Sequence, residues 1–150
     1  MAILRTGYRH KSFGLLLLRI GIGVMFFFHG WPKLSGGPER WERLGQNMEL
    51  FGMDFLPAFW GFMAGFAEAI GGALLALGLF FRPTCMLLLI TMIVATTRHV
   101  VAGDGFGGYS HALEAAILFF SLLFIGPGKY SLDHQFFPKE KDRNKFIAAR

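Results

Sequence analysis

Charge and cysteine are the two things this sequence has least of. Only 17% of its 150 residues are Asp, Glu, Lys or Arg, whereas 53% are hydrophobic, against about a quarter charged in an ordinary soluble domain. That balance excludes intrinsic disorder. A single cysteine, Cys85, excludes a disulfide scaffold and an internal thiol–disulfide relay. No HExxH or comparable metal-ligand spacing occurs, so no metal site is expected. The glycine-rich stretch GDGFGG follows no strand and contains no lysine, which removes a phosphate-binding loop. Nothing resembles a Ser-His-Asp set. Acidic residues are outnumbered ten to fifteen by basic ones, yet the basic residues are placed as membrane-topology signals would be, and no nucleic-acid partner is expected.

What is present is long apolar runs. Crossing about 30 Å of hydrocarbon takes roughly 20 mostly apolar helical residues. Four segments of about that length occur at 13–31, 57–81, 83–101 and 110–127. None has a polar stripe wide enough to meet water, which disfavours a soluble helical protein. The expected fold is an all-α, integral membrane four-helix bundle forming one domain over 1–150. Ten basic residues fall on one side: Arg5, Arg9, Lys11, Arg82, Lys129, Lys139, Lys141, Arg143, Lys145 and Arg150. Lys33, Arg40, Arg43 and Arg98 fall on the other. The positive-inside rule then predicts an N-in/C-in multi-pass protein of the bacterial inner membrane, with a basic cytoplasmic tail at 129–150 that contacts the lipid bilayer. No small-residue cleavage site follows the first span, so a signal peptide is not expected.

The connections are unequal. Phe81-Arg82-Pro83 reads as a tight turn with Pro83 beginning a helix. In the first outer loop Trp41, Leu44, Met48 and Phe51 recur near a helical period, predicting a short amphipathic helix on the outer membrane surface. The second outer loop, Ala102–Tyr109, holds four glycines and is expected to be irregular.

Ionisable groups inside a membrane are costly unless they pair or face a cavity. Arg19, Glu68 and Glu114 lie within the spans, with His29, His99 and His111 toward the outer ends. Counting rise per residue from Trp31 and from Pro57 puts Arg19 about 18 Å and Glu68 about 16 Å deep, which predicts an Arg19–Glu68 ion pair. The faces around them carry Gly23, Phe26 and Gly30, and Gly61, Ala64, Gly65 and Gly72, suited to close small-xxx-small packing. Such a pair could staple two helices or sit beside a quinone headgroup on a proton path. In the fourth span His111 and Glu114 share a face at i, i+3, with Glu114 about 6 Å deep. Lys33 can reach the same layer by snorkelling. Glu68 and Glu114 are therefore the candidate proton acceptors. Arg19, His29, Lys33, His99 and His111 are candidates for binding a quinone carbonyl; a haem is a further option that no specific motif supports.

The stretches LLLRIGIGVMFFFHGWPKL, FAEAIGGALLALGLFFRP and HALEAAILFFSLLFIGPGKYSLD resemble the DoxX family of small bacterial inner-membrane proteins from about Leu15 to Asp133. The matching features are Arg19, His29-Gly30-x-x-Lys33, Glu68 with Gly71 and Gly72, Arg82-Pro83, Glu114, and the ending Gly126, Pro127, Gly128, Ser131, Asp133. The resemblance implies four transmembrane helices and association with quinol oxidase or thiosulfate:quinone redox systems. Branches with a redox cysteine pair are not matched. Two functions follow as expectations. One is a membrane subunit of a quinone-linked respiratory or sulfur-oxidising system, working with other membrane or periplasmic redox subunits. The other is a non-catalytic anchor or assembly factor for a larger complex. A homo-oligomer is compatible with either.

Overall fold

Glycine placement decides how the helices meet. The computed structural model describes residues 10–137, so Arg5, Arg9 and the tail residues Lys139, Lys141, Arg143, Lys145 and Arg150 lie outside the described residues. Helix α1 (Lys11–Leu34) is followed by α2 (Pro38–Gly45), a 3-10 turn (Gln46–Phe51), α3 (Pro57–Leu77), α4 (Phe81–Val101), α5 (Gly105–Ile125) and the short α6 (Leu132–Phe136). Four of these, α1, α3, α4 and α5, are long and apolar enough to cross a membrane. They form an all-α membrane bundle. Helix α1 packs on α3, α3 on α4, and α4 on α5, while α1 and α5 meet through side chains such as the edge-on rings of Phe26 and Phe119 at 4.9 Å. The start of α1, the α3–α4 turn and α6 share one end of the bundle, the terminal end; α2 and the α4–α5 turn occupy the other, the loop end.

Without a hydrophobic drive between helices in lipid, association depends on close packing. A Cβ on Gly23 would stand 2.5 Å from the Gly72 carbonyl oxygen, and one on Gly72 would stand 2.5 Å from the Phe27 nitrogen. A Cβ on Gly30 would strike the backbone nitrogen of Ala69, and one on Gly65 would come within 2.8 Å of the Leu34 nitrogen. These four glycines bring the backbones of α1 and α3 into contact along most of their length. Gly71 turns toward α4, where a Cβ would press on Leu88 at 3.3 Å. The remaining core, Leu75, Phe81, Cys85, Leu88, Met92, Ala112, Ala115, Ala116, Phe119 and Leu122, fills the space between α3, α4 and α5.

Several boundaries differ from the sequence expectation. The α3–α4 turn lies earlier, at Gly78–Phe80, with Gly78 left-handed (φ 66°) and closing α3. Phe81 and Arg82 are already helical, and Pro83 sits among the first-turn positions whose N–H groups have no intrahelical partner. Helix α5 begins at Gly105, inside the stretch expected to be irregular; Gly105 is left-handed (φ 69°) and the following glycines continue as helix. Helix α2 is amphipathic, but it folds onto the bundle. Its Trp41 indole donates to the Lys33 and Leu34 carbonyls at 3.0 and 3.2 Å, and its backbone fits against α3 at Gly61, where any Cβ would strike the Trp41 carbonyl. Gly61 thus serves α2 and Gly65 serves α1.

Adding a methyl group at Gly30, against backbone, costs about 1–3 kcal/mol by overpacking. Gly30→Ala should lower the thermal midpoint of the detergent-solubilised protein, whereas Gly21→Ala, whose Cβ meets open space, should leave it unchanged or raise it. Equal midpoints for the two variants would contradict backbone contact between α1 and α3.

Candidate functional site

Register along the α1–α3 contact dictates which polar groups meet. Gly23 opposes Gly72, Gly30 opposes Glu68 and Ala69, and Leu34 opposes Gly65. Glu68 therefore faces the last turn of α1, where Lys33 stands one turn beyond Gly30. The Lys33 ammonium donates to both carboxylate oxygens of Glu68, at 2.7 and 2.6 Å. The Glu68 side chain is 4% exposed and that of Lys33 30% exposed. The expected Arg19–Glu68 pair does not form. The contact is offset by about ten residues, or about 15 Å of rise, from the register that equating Trp31 with Pro57 implies. Its cause is the first two turns of α3, which project past the end of α1 to carry α2.

Arg19 instead packs at the terminal end, against the turn that closes α3. It is fully buried, and its Nη2 donates to the Tyr130 carbonyl oxygen at 2.6 Å. A Cβ on Gly78 would collide with its Nη1. The guanidinium thus lies where the carbonyl end of α3 favours a cation. Asp133 completes this arrangement. Its N–H donates to the Gly78 carbonyl at 3.0 Å, and its carboxylate accepts from the N–H groups of Phe80 and Phe81, both at 2.8 Å. Phe80 has φ 46°, a left-handed backbone that costs about 1 kcal/mol or more, and the Asp133 carboxylate holds it there. Ser131, also fully buried, caps α6 by accepting from the His134 N–H at 3.2 Å and donates to the Gly128 carbonyl. Neither Ser131 nor Asp133 was read from the sequence as carrying a stated job. A helix-capping carboxylate 52 residues away in the chain leaves no local signal.

The Lys33–Glu68 pair lies on the wall of a cleft of about 860 Å³ between the first half of α3, the second half of α4 and α2. Phe59, Trp60, Met63, Leu87, Ile90 and Val94 line it with apolar surface. Arg40 and Arg43 from α2, and Arg98 and His99 from α4, bring positive charge and an imidazole to its loop end. His99 Nδ1 lies 2.6 Å from Asp104, which also accepts from Arg98 at 3.5 Å. Of the seven residues picked from the sequence, Lys33, Glu68 and His99 therefore share one cleft. His29 and His111 are together elsewhere, ring centroids 6.2 Å apart across the α1–α5 seam, with Glu114 one turn beyond His111. His99 does not join that pair: it lies toward the same end of the bundle but in the cleft with Lys33 and Glu68. Because α5 starts at Gly105, Glu114 is nine residues into its helix, about 13 Å along its axis and deeper than its distance from Ser110 suggests. Among the described residues no group of three or more His, Cys, Asp or Glu side chains is arranged to hold a metal.

A four-helix membrane bundle with a buried carboxylate, paired to a half-buried ammonium beside an amphiphilic cleft, is the class of protein that this geometry defines. The chain belongs to the DoxX family, whose profile matches residues 14–102. It is 32% identical over 137 residues to an uncharacterised protein of Haemophilus influenzae, covering 87% of this chain and 96% of that one. It is 31% identical over 138 residues to an uncharacterised membrane protein of Mycobacterium tuberculosis, covering 81% and 80%. A Bacillus subtilis protein named "Putative oxidoreductase CatD" is 36% identical over 88 residues, 57% of this chain and 60% of its own. No solved structure matches the chain. The protein is thus a multi-pass membrane protein of this family.

Removing one member of a buried ion pair strands the other and costs about 3–5 kcal/mol, whereas replacing both with apolar groups can be nearly neutral. Lys33→Met should therefore destabilise the protein more than the Lys33→Met/Glu68→Met double variant does. Additive losses in a denaturation cycle would show that the two groups do not interact. At the other end, Asp133→Ala should cost about 1–2 kcal/mol by leaving two N–H groups without acceptors, with Asp133→Asn recovering part of it. An unchanged midpoint in Asp133→Ala would exclude the capping role.

Proposed function

We propose that this protein is the membrane subunit of a quinone-linked redox system and that the cleft between α2, α3 and α4 receives the quinone headgroup. One observation carries this reading: a carboxylate and an ammonium, paired and largely out of solvent, on the wall of an otherwise apolar cleft. Quinones need both halves of such a site. Their ring and tail require apolar walls, which Phe59, Trp60, Met63 and Ile90 supply, and their oxygens require a donor and a proton acceptor. Bound there, a quinone supplies two-electron, two-proton redox chemistry. Lys33, with three donor hydrogens, would orient a ring oxygen. Glu68 would take the proton of a quinol hydroxyl, its charge held by Lys33 until then. His99, hydrogen-bonded to Asp104 nearer the mouth, would pass that proton toward water. The electrons go to a partner protein that completes the system.

The name of the Bacillus subtilis relative supports an oxidoreductase association, and the basic excess at the terminal end supports placing that end in the cytoplasm. The cleft then opens in the outer half of the bilayer, within reach of a periplasmic partner.

Trp60 lines the cleft and reports on it, since quinones quench indole emission. Decylubiquinone titrated into the purified protein should quench saturably, the Trp60→Phe variant should lose most of that component, and Glu68→Gln should weaken binding about tenfold or more. Quenching that rises linearly with no saturation and is the same in wild type and Glu68→Gln would exclude a headgroup site at this pair.

A further inference from the structure

Glu114 presents the membrane with an unusual group. It lies at the tenth of the 21 positions of α5 and is exposed, among Leu113 at 39%, Ile117 at 59% and Phe120 at 53% exposure. Among the described residues it makes no ion pair. His111 and Ser121 are exposed on the same helix. At 100° per residue His111, Glu114 and Ser121 fall within an arc of about 80°, a polar stripe over three turns. His29 of α1 flanks it, exposed and beside His111. A carboxylate facing hydrocarbon near mid-membrane is expensive, and such groups are found facing protein or a water-filled space. The stripe does not line the cleft that holds Lys33 and Glu68, and among the described residues nothing covers it.

We propose that the α1–α5 seam is a dimer interface and that a second copy of this chain covers it. The charge pattern points to a copy of itself. The stripe carries a carboxylate beside two imidazoles, so it holds both halves of a hydrogen-bonded pair. Two copies inserted in the same direction are related by a two-fold axis along the membrane normal, which keeps every group at its own depth. That operator sets the imidazoles of one copy about one helical turn from the carboxylate of the other, a step the Glu114 side chain can span, and each interface contains the contact twice. Because a two-fold interface contains each contact twice, a substitution at Glu114 removes both and should raise the dissociation constant about tenfold or more.

Disulfide trapping in native membranes tests this directly. Ser121→Cys adds a thiol on the stripe, Ile70→Cys adds one at a half-exposed position of α3, away from the α1–α5 seam, and Cys85 is buried. Ser121→Cys should yield a covalent band of twice the chain mass, and Ile70→Cys should not. Subunit counting by photobleaching in phosphatidylethanolamine–phosphatidylglycerol vesicles should give two copies for wild type and a weakened dimer for Glu114→Gln. Monomers in wild-type vesicles, equal cross-linking from both positions, or a Ser121→Cys adduct to a different protein alone would each overturn the proposal. The trapping needs no change at Glu114, so a folding defect in Glu114→Gln leaves the test intact.

Discussion

The contact between the backbones of α1 and α3 sets the position of every polar group that matters in this protein. In lipid, two helices gain little from burying side chains that the acyl tails solvate equally well, so they associate where their backbones can approach. Gly23 and Gly30 on one helix, and Gly65 and Gly72 on the other, lie seven residues apart and provide that approach along a shared seam. Once Gly30 rests on the backbone of Glu68 and Ala69, Lys33 one turn later has a single carboxylate within reach. The same register carries Arg19 away from Glu68 and delivers it to the closing turn of α3. A change of one helical turn in this contact would leave Lys33, Glu68 and Arg19 all without the partners they have.

The fold was legible because hydrophobic run length is a direct reading of bilayer thickness. All four spans are legible, and α1 and α3 pack closely through Gly23, Gly30, Gly65 and Gly72 as expected, whereas Gly61 packs against α2 instead. Depth was less legible. Counting inward from the visible ends of the runs assumes that every helix starts at the same membrane plane, and α3 does not, because its first two turns support α2. The error of about ten residues exchanged the partners of Arg19 and Glu68. A similar assumption misplaced Glu114: four glycines suggest loop on propensity alone, yet α5 runs back to Gly105 with its first residues exposed. Both failures concern relative placement, which no single segment encodes.

The role of the C-terminal GPG-x-x-S-x-D ending was hidden for a different reason. Its work is done on residues far away in the chain: Tyr130 supplies a carbonyl to Arg19, and Asp133 caps α4 while bonding the α3 turn. Read locally, the ending is only a capped turn. In three dimensions it closes the terminal end of the bundle and gives the buried Arg19 a carbonyl acceptor. The buried Arg19 thereby ties α1 to the turn that closes α3 and to the C-terminal ending.

These placements divide the polar residues of the bundle by what each can still do. Asp133 uses its carboxylate on backbone N–H groups, and Arg19 gives one hydrogen bond to a backbone carbonyl while its Nε and Nη1 stay buried without a partner among the described residues. Lys33 and Glu68 bond to each other, and that pairing is exchangeable. A ligand oxygen can take one ammonium hydrogen, or a proton can neutralise the carboxylate, without unfolding the helices that glycine contacts hold together. An ion pair beside a cleft is then worth keeping for a reason other than stability, since apolar replacement would serve stability equally well. Its position on α1 and α3, the two most tightly joined helices, means that protonation of Glu68 would alter the charge of the cleft while the scaffold around it stays in place.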